Sequence, residues 1–157
     1  MKRSRTKGVS TLAVIALLVV AGIGYVGWNS YQKSQARAAH EAAVASANAS
    51  MDKMKVQWLD ALRLATSTPR LGMAGPISSL QAIRQNAQQL EVPECLTPNK
   101  QNLVTGMNEA LEGVLAFMRN DMGKYDLEEF TLKKITAMND RFLEFEKKPV
   151  PCLAKKT

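Results

Sequence analysis

Histidine is almost missing from this chain: 157 residues contain one, His40. A Ser/His/Asp or Cys/His nucleophilic centre has no other imidazole to draw its base from, so hydrolase chemistry loses its support, and His40 reads as a solvated helix residue. Cysteine is scarce as well. Cys95 and Cys152 are the only two, and they are too far apart in sequence for the C-x-x-C arrangement that lowers a thiol pKa or holds zinc. Neither His-x-x-x-His nor Glu-x-x-His occurs, so no metal and no cofactor is expected. Met51 with Met54 and Met118 with Met122 have spacings that would suit Cu(I), but methionines at such spacing read as core filler. No stretch alternates with period two, which excludes a sheet. The acidic pairs Glu128-Glu129 and Glu144 with Glu146 lie on differing sides of a helix and read as solvated faces. The chain is therefore expected to be a non-enzyme.

Charge is also missing from a long stretch, and there the absence is informative. Lys2, Arg3, Arg5 and Lys7 precede a run from Gly8 to Tyr31 with no charged residue, and no acid occurs before Glu41. Val9 to Trp28 spans about 30 Å as an α-helix, the thickness of a bilayer's hydrocarbon core. The expectation is a short basic cytoplasmic tail over 1–8 and a transmembrane helix over 9–31. Basic flanks stay inside, so Tyr25, Trp28 and Tyr31 fall at the outer interface, where amphipathic rings prefer the headgroup layer. That places the protein in a bacterial inner membrane as a single-pass signal-anchor, N-terminus cytoplasmic and C-terminal domain periplasmic. A cleaved secretory signal with its small-residue site at Ala36-Arg37-Ala38 is the competing reading, but the apolar run exceeds the usual length of a signal core.

The net charge of +7 invites a nucleic-acid function. Without the four cations of the tail, 17 basic residues face 14 acidic ones. Such a mixed surface lacks the clustered basic stripe with interleaved aromatics that nucleic acid requires, and none is expected as a partner. About 125 residues remain beyond the apolar run, enough for one compact domain. In an oxidising compartment Cys95 and Cys152 are expected to pair, each in a proline-containing turn, EVPEC and KPVPC.

From Gln35 to Ser50 alanine dominates and neither glycine nor proline occurs, so residues 32–50 read as a helical stalk. In the bundle domain, residues 51–157, Met51, Met54, Trp58, Leu62 and Ala65 recur at spacings of three and four. Thr68-Pro69 and Thr97-Pro98 read as N-caps followed by proline at the first helical position. The first would open a helix reaching about Glu91 with Ile77, Leu80, Ile83, Ala87 and Leu90 inward, its start interrupted by Gly72, Gly75 and Pro76. The second opens a helix from about Pro98 to Arg119, with Leu103, Met107, Ala110, Leu111, Val114 and Phe117 on one face. A last helix from about Asp126 to Lys147 carries Leu127, Phe130, Ile135, Met138, Phe142 and Phe145. The expected fold is all-α: an N-terminal transmembrane helix continuing into an up-down-up-down antiparallel bundle with one disulfide. In that topology the turns at Ser67–Pro76 and Asn120–Tyr125 share one end, and they present Arg70, Arg119, Lys124 and Tyr125 to a partner.

The run KGVSTLAVIALLVVAGIGYVGWNSYQKSQARA resembles the N-terminus of type IV pilins and pseudopilins, in Lys7-Gly8 before the apolar helix, Thr11-Leu12, Tyr31-Gln32 and Ala36-Arg37-Ala38. The resemblance implies peptidase cleavage after Gly8 and a first helix packed in a filament core. Ala13 stands where that family carries an acid at its fifth mature position. Three functions follow as expectations: an accessory or scaffold subunit of an envelope complex, partnered by another envelope protein or by copies of itself; a pilin-like subunit; and a periplasmic ligand-sensing four-helix bundle.

Overall fold

The computed structural model describes residues 11–119, 127–147 and Cys152, with the side chains of 11–27 and of Glu128 outside that description. All its secondary structure is helical, in four α-helices and two short 3₁₀ turns. Helix α1 covers Thr11–Ser67, α2 covers Ala74–Gln89, α3 covers Thr97–Arg119 and α4 covers Leu127–Glu146. The chain divides into two units, Met1–His40 and Glu41–Thr157.

In the first unit, residues 28–40 are helical and exposed throughout, and Gln35 Nε2 donates to the Tyr31 hydroxyl one turn earlier. Among the described residues no helix is long and apolar enough to cross a membrane. Most of the expected span, 9–31, falls outside the description: 9 and 10 entirely, and the side chains of 11–27, Tyr25 included. Trp28 and Tyr31, expected at a membrane interface, are 64% and 59% exposed.

The second unit holds one core. Met51, Trp58, Ala65, Leu80, Leu103, Met107 and Ala110 have lost their surface entirely, and Met138, Phe142 and Phe145 of α4 close over them. Ala47 is buried and Val44 packs against the same cluster, so core contacts begin within the alanine-rich segment 32–50. α3 runs antiparallel to both neighbours: Arg84 reaches Asn108 while Arg70 reaches Met118, and Gly106 abuts Phe142 while Gly113 abuts Lys134.

Two glycines one heptad apart let α3 and α4 approach. A Cβ on Gly106 would stand 2.8 Å from Phe142 Cε1, and one on Gly113 would stand 3.0 Å from Lys134 Cβ. Asn99, a further heptad back on the same stripe, turns its amide to the Phe145 carbonyl at 3.1 Å. That carbonyl lies in the last turn of α4, and the residue four places on is Pro149, which has no N–H to offer.

Both Thr-Pro pairs, Thr68-Pro69 and Thr97-Pro98, depart from the N-cap expectation. Pro69 and Pro93 are extended, with φ near −54° and −52°, and each starts a 3₁₀ turn, Arg70–Gly72 and Glu94–Leu96. The carbonyls of Pro69 and Pro93 accept from Gly72 N and Leu96 N, both at 2.8 Å. Thr68 caps backward instead, donating from Oγ1 to Leu64 O at 2.6 Å, and so satisfies the end of α1. Thr97 is already helical, as its φ of −54° and ψ of −44° show. At the first pair the ring-fixed φ of Pro69 suits an extended residue that leads into a tight 3₁₀ turn before the helix starts. The helix expected from Pro69 accordingly begins at Ala74, which puts Pro76 in its first turn, where a missing N–H costs nothing.

The disulfide forms as expected. Cys95 and Cys152 are bonded across a Cα–Cα distance of 5.4 Å, tying the 3₁₀ turn before α3 to the segment after α4.

Candidate functional site

The end of the unit where α1 gives way to the Arg70–Gly72 turn is built by hydroxyls and one guanidinium. Thr66, Ser67 and Thr68 all donate to carbonyls of the last turn of α1. Leu64 O, one of the four carbonyls that the helix end leaves without an intrahelical partner, is thereby satisfied where the chain turns toward Pro69. Arg70 Nε then donates to Met118 O at 2.9 Å. Met118 is the penultimate residue of α3, so the cation both fills an orphan acceptor and faces the negative end of the helix dipole. Arg119, next in sequence, is exposed.

Two of the four expected contact residues, Arg70 and Arg119, are thus brought to one place. Lys124 and Tyr125 lie outside the described residues. Sequence reasoning missed Leu71, which is fully exposed while Met73 is buried, and it set Phe117 on the apolar face of α3 with Leu103, Met107, Ala110, Leu111 and Val114, whereas Phe117, in the last turn, is 41% exposed. Leu71 gave no periodic signal because it sits in a 3₁₀ turn between helices. A solvated apolar side chain next in sequence to Arg70, at the end of the unit where Arg119 is also exposed, can bury surface against a partner while the cations select acidic or carbonyl groups.

On the α3–α4 face, Lys134 Nζ donates to Glu109 Oε2 and Glu112 Oε2, both at 2.7 Å, and lies 5.6 Å from the centre of the Phe130 ring. Hydrogen bonds to Glu109, then Glu112, hold its pKa above the usual lysine value, against a smaller opposing effect of burial. On the α1–α4 face Lys55 pairs with Glu146 and lies over the rings of Phe142 and Phe145. These clusters join helices and present no open chemistry.

His40 is exposed on α1. Among the described residues no group of three or more His, Cys, Asp or Glu side chains is arranged to hold a metal ion. An open groove along α4, lined by Asp140, Arg141, Glu144 and Lys147 among others, has both charge signs on its wall. Comparison with protein-family models, with curated proteins and with solved structures finds no match to this chain.

Proposed function

We propose that this chain is a membrane-anchored periplasmic helical protein that acts through protein contacts, as an accessory or scaffold subunit of a cell-envelope complex. The observation that carries the anchor is the sequence itself: four cations, then a charge-free run from Gly8 to Tyr31. The contact surface is the Arg70, Leu71 and Arg119 end, continued in sequence by Lys124 and Tyr125. An exposed leucine at the end of the unit that carries Arg70 and Arg119 supports a protein partner with an acidic or carbonyl-rich rim. No catalytic residue and no cofactor enters this reading.

The test is in-cell cross-linking followed by non-reducing intact mass and N-terminal sequencing of the protein from native membranes. An intact N-terminus and a discrete cross-linked species that is lost in Leu71→Asp and Arg119→Glu are expected. A monomer with no partner recovered would remove the scaffold reading. The pilin-like reading is favoured by the Lys7-Gly8 resemblance, and a chain beginning at Val9 would replace the first reading with it. A chain beginning near Ala39 would mean a secreted domain.

A further inference from the structure

Helix α4 carries two stripes. The inner one, Met138, Phe142 and Phe145 with the half-buried Ile135, closes the core. On the other side Leu132, Thr136, Asn139 and Leu143 recur at spacings of four, three and four, the interval at which one helix presents a seam to another. All four are exposed, and the two leucines are 59% and 58% exposed. A single exposed leucine needs no explanation, but these two share one stripe about three turns apart with no charged residue between them on it. Thr136 does not interrupt the stripe, because its hydroxyl donates to Leu132 O at 2.9 Å and is satisfied within the helix.

The stripe is self-complementary. Laid antiparallel against a copy of itself, it sets Leu132 opposite Leu143 at both ends and Thr136 opposite Asn139 on either side of a two-fold axis. Charge follows the same symmetry. Lys133 and Asp140 lie on one flank of the stripe, both exposed, and among the described residues neither forms an ion pair within its own chain. In the antiparallel register Lys133 of each copy meets Asp140 of the other. The opposite flank carries Glu146, whose charge Lys55 of the same chain already balances. Asn139 lies beside the axis, where a polar residue fixes register at some cost in affinity.

We propose that the outer face of α4 docks a second copy of this chain, the two α4 helices packing antiparallel about a two-fold axis between Thr136 and Asn139. A helix of 20 residues offers a strip about 30 Å long, which lies at the low end of what stable interfaces bury, so the pair is concentration-dependent. This face is separate from the Arg70, Leu71 and Arg119 surface, and the inference stands or falls independently of the scaffold reading.

The experiment is cross-linking of the full chain in cells with a short bismaleimide, which does not react with the native disulfide. In the antiparallel register Leu132 lies about 16 Å along the helix axis from Leu132 of the other copy but level with its Leu143. Leu132→Cys and Leu143→Cys on two differently tagged chains expressed together are therefore expected to give a mixed covalent dimer, and Leu132→Cys alone is expected to give none. Asn139→Cys, beside the axis, is expected to link to itself. Lys133→Asp should weaken that Asn139→Cys dimer about tenfold by setting like charges opposite each other twice, and adding Asp140→Lys should restore it, which separates pairing from folding. The inference is overturned by the absence of the mixed dimer, by a Leu132→Cys chain that links to itself, by a charge reversal that the second reversal does not rescue, or by capture of a different protein at these positions.

Discussion

Asn99 is the one polar residue fully buried among those described, and its amide has a single defined duty at the Phe145 carbonyl. Removing it strands a buried acceptor at the end of α4, so Asn99→Leu is expected to cost about 1–3 kcal/mol by urea denaturation despite the gain in apolar surface. Gly106 can be tested the same way. Gly106→Ala gains roughly 1 kcal/mol of helix propensity but drives a methyl group into the Phe142 ring, and overpacking of that kind costs about 1–3 kcal/mol. Net destabilisation is expected at Gly106. At Gly113 the contact is with Lys134 Cβ at 3.0 Å, an atom fixed to the α4 backbone but needing to yield only a few tenths of an ångström, so Gly113→Ala should cost less than Gly106→Ala; equal losses at both glycines would contradict this account. None of these duties was legible in the sequence. Asn99 and the two glycines interrupt the apolar pattern of α3, and only the position of α4 shows why they stand there.

At the scale of the element, each helix ends on a side chain from elsewhere or from its own last turn. Thr68 serves Leu64 O in α1, Lys100 Nζ donates to Leu90 O at 2.8 Å just past α2, Arg70 serves Met118 O in α3, and Asn99 serves Phe145 O in α4. The boundaries of α3 and α4 were readable within a residue or two from periodicity and proline, whereas the start of α2 was not, because proline marks a break without stating which turn follows it. Lys134 gives this scale a pH prediction. Its folded pKa is raised, so its contribution to stability is complete below the unfolded value of 10.5 and is lost as pH rises through the higher folded value. The stability difference between wild type and Lys134→Met should therefore be constant through neutral pH and shrink above about pH 10.5; a difference unchanged into that range would contradict the assigned hydrogen bonds.

At the scale of the molecule, the disulfide closes a long loop that contains α3 and α4, the two helices in closest contact. Cys95→Ser with Cys152→Ser is expected to lose about 2–5 kcal/mol, read as a lower urea midpoint, and the reduced wild type should match the double variant. The anchor is tested separately. Leu18→Arg places a cation near the centre of the apolar run and should cost about 2.5–3.5 kcal/mol of insertion, moving the protein out of the membrane fraction. Unchanged fractionation would remove the transmembrane helix from the proposal.

The sequence by itself determined that the described residues are helical, where the apolar faces of the helices run, and which two cysteines were available to pair. Those follow from local periodicity, propensity and composition, which do not depend on distant residues. Only the tertiary structure decided that Arg70 caps α3, that glycines bring α3 against α4, that Asn99 completes α4, and that Arg84 reaches across to Asn108. Each of these is a contact between helices, set by relative register, and register arises from the packing of all the faces at once.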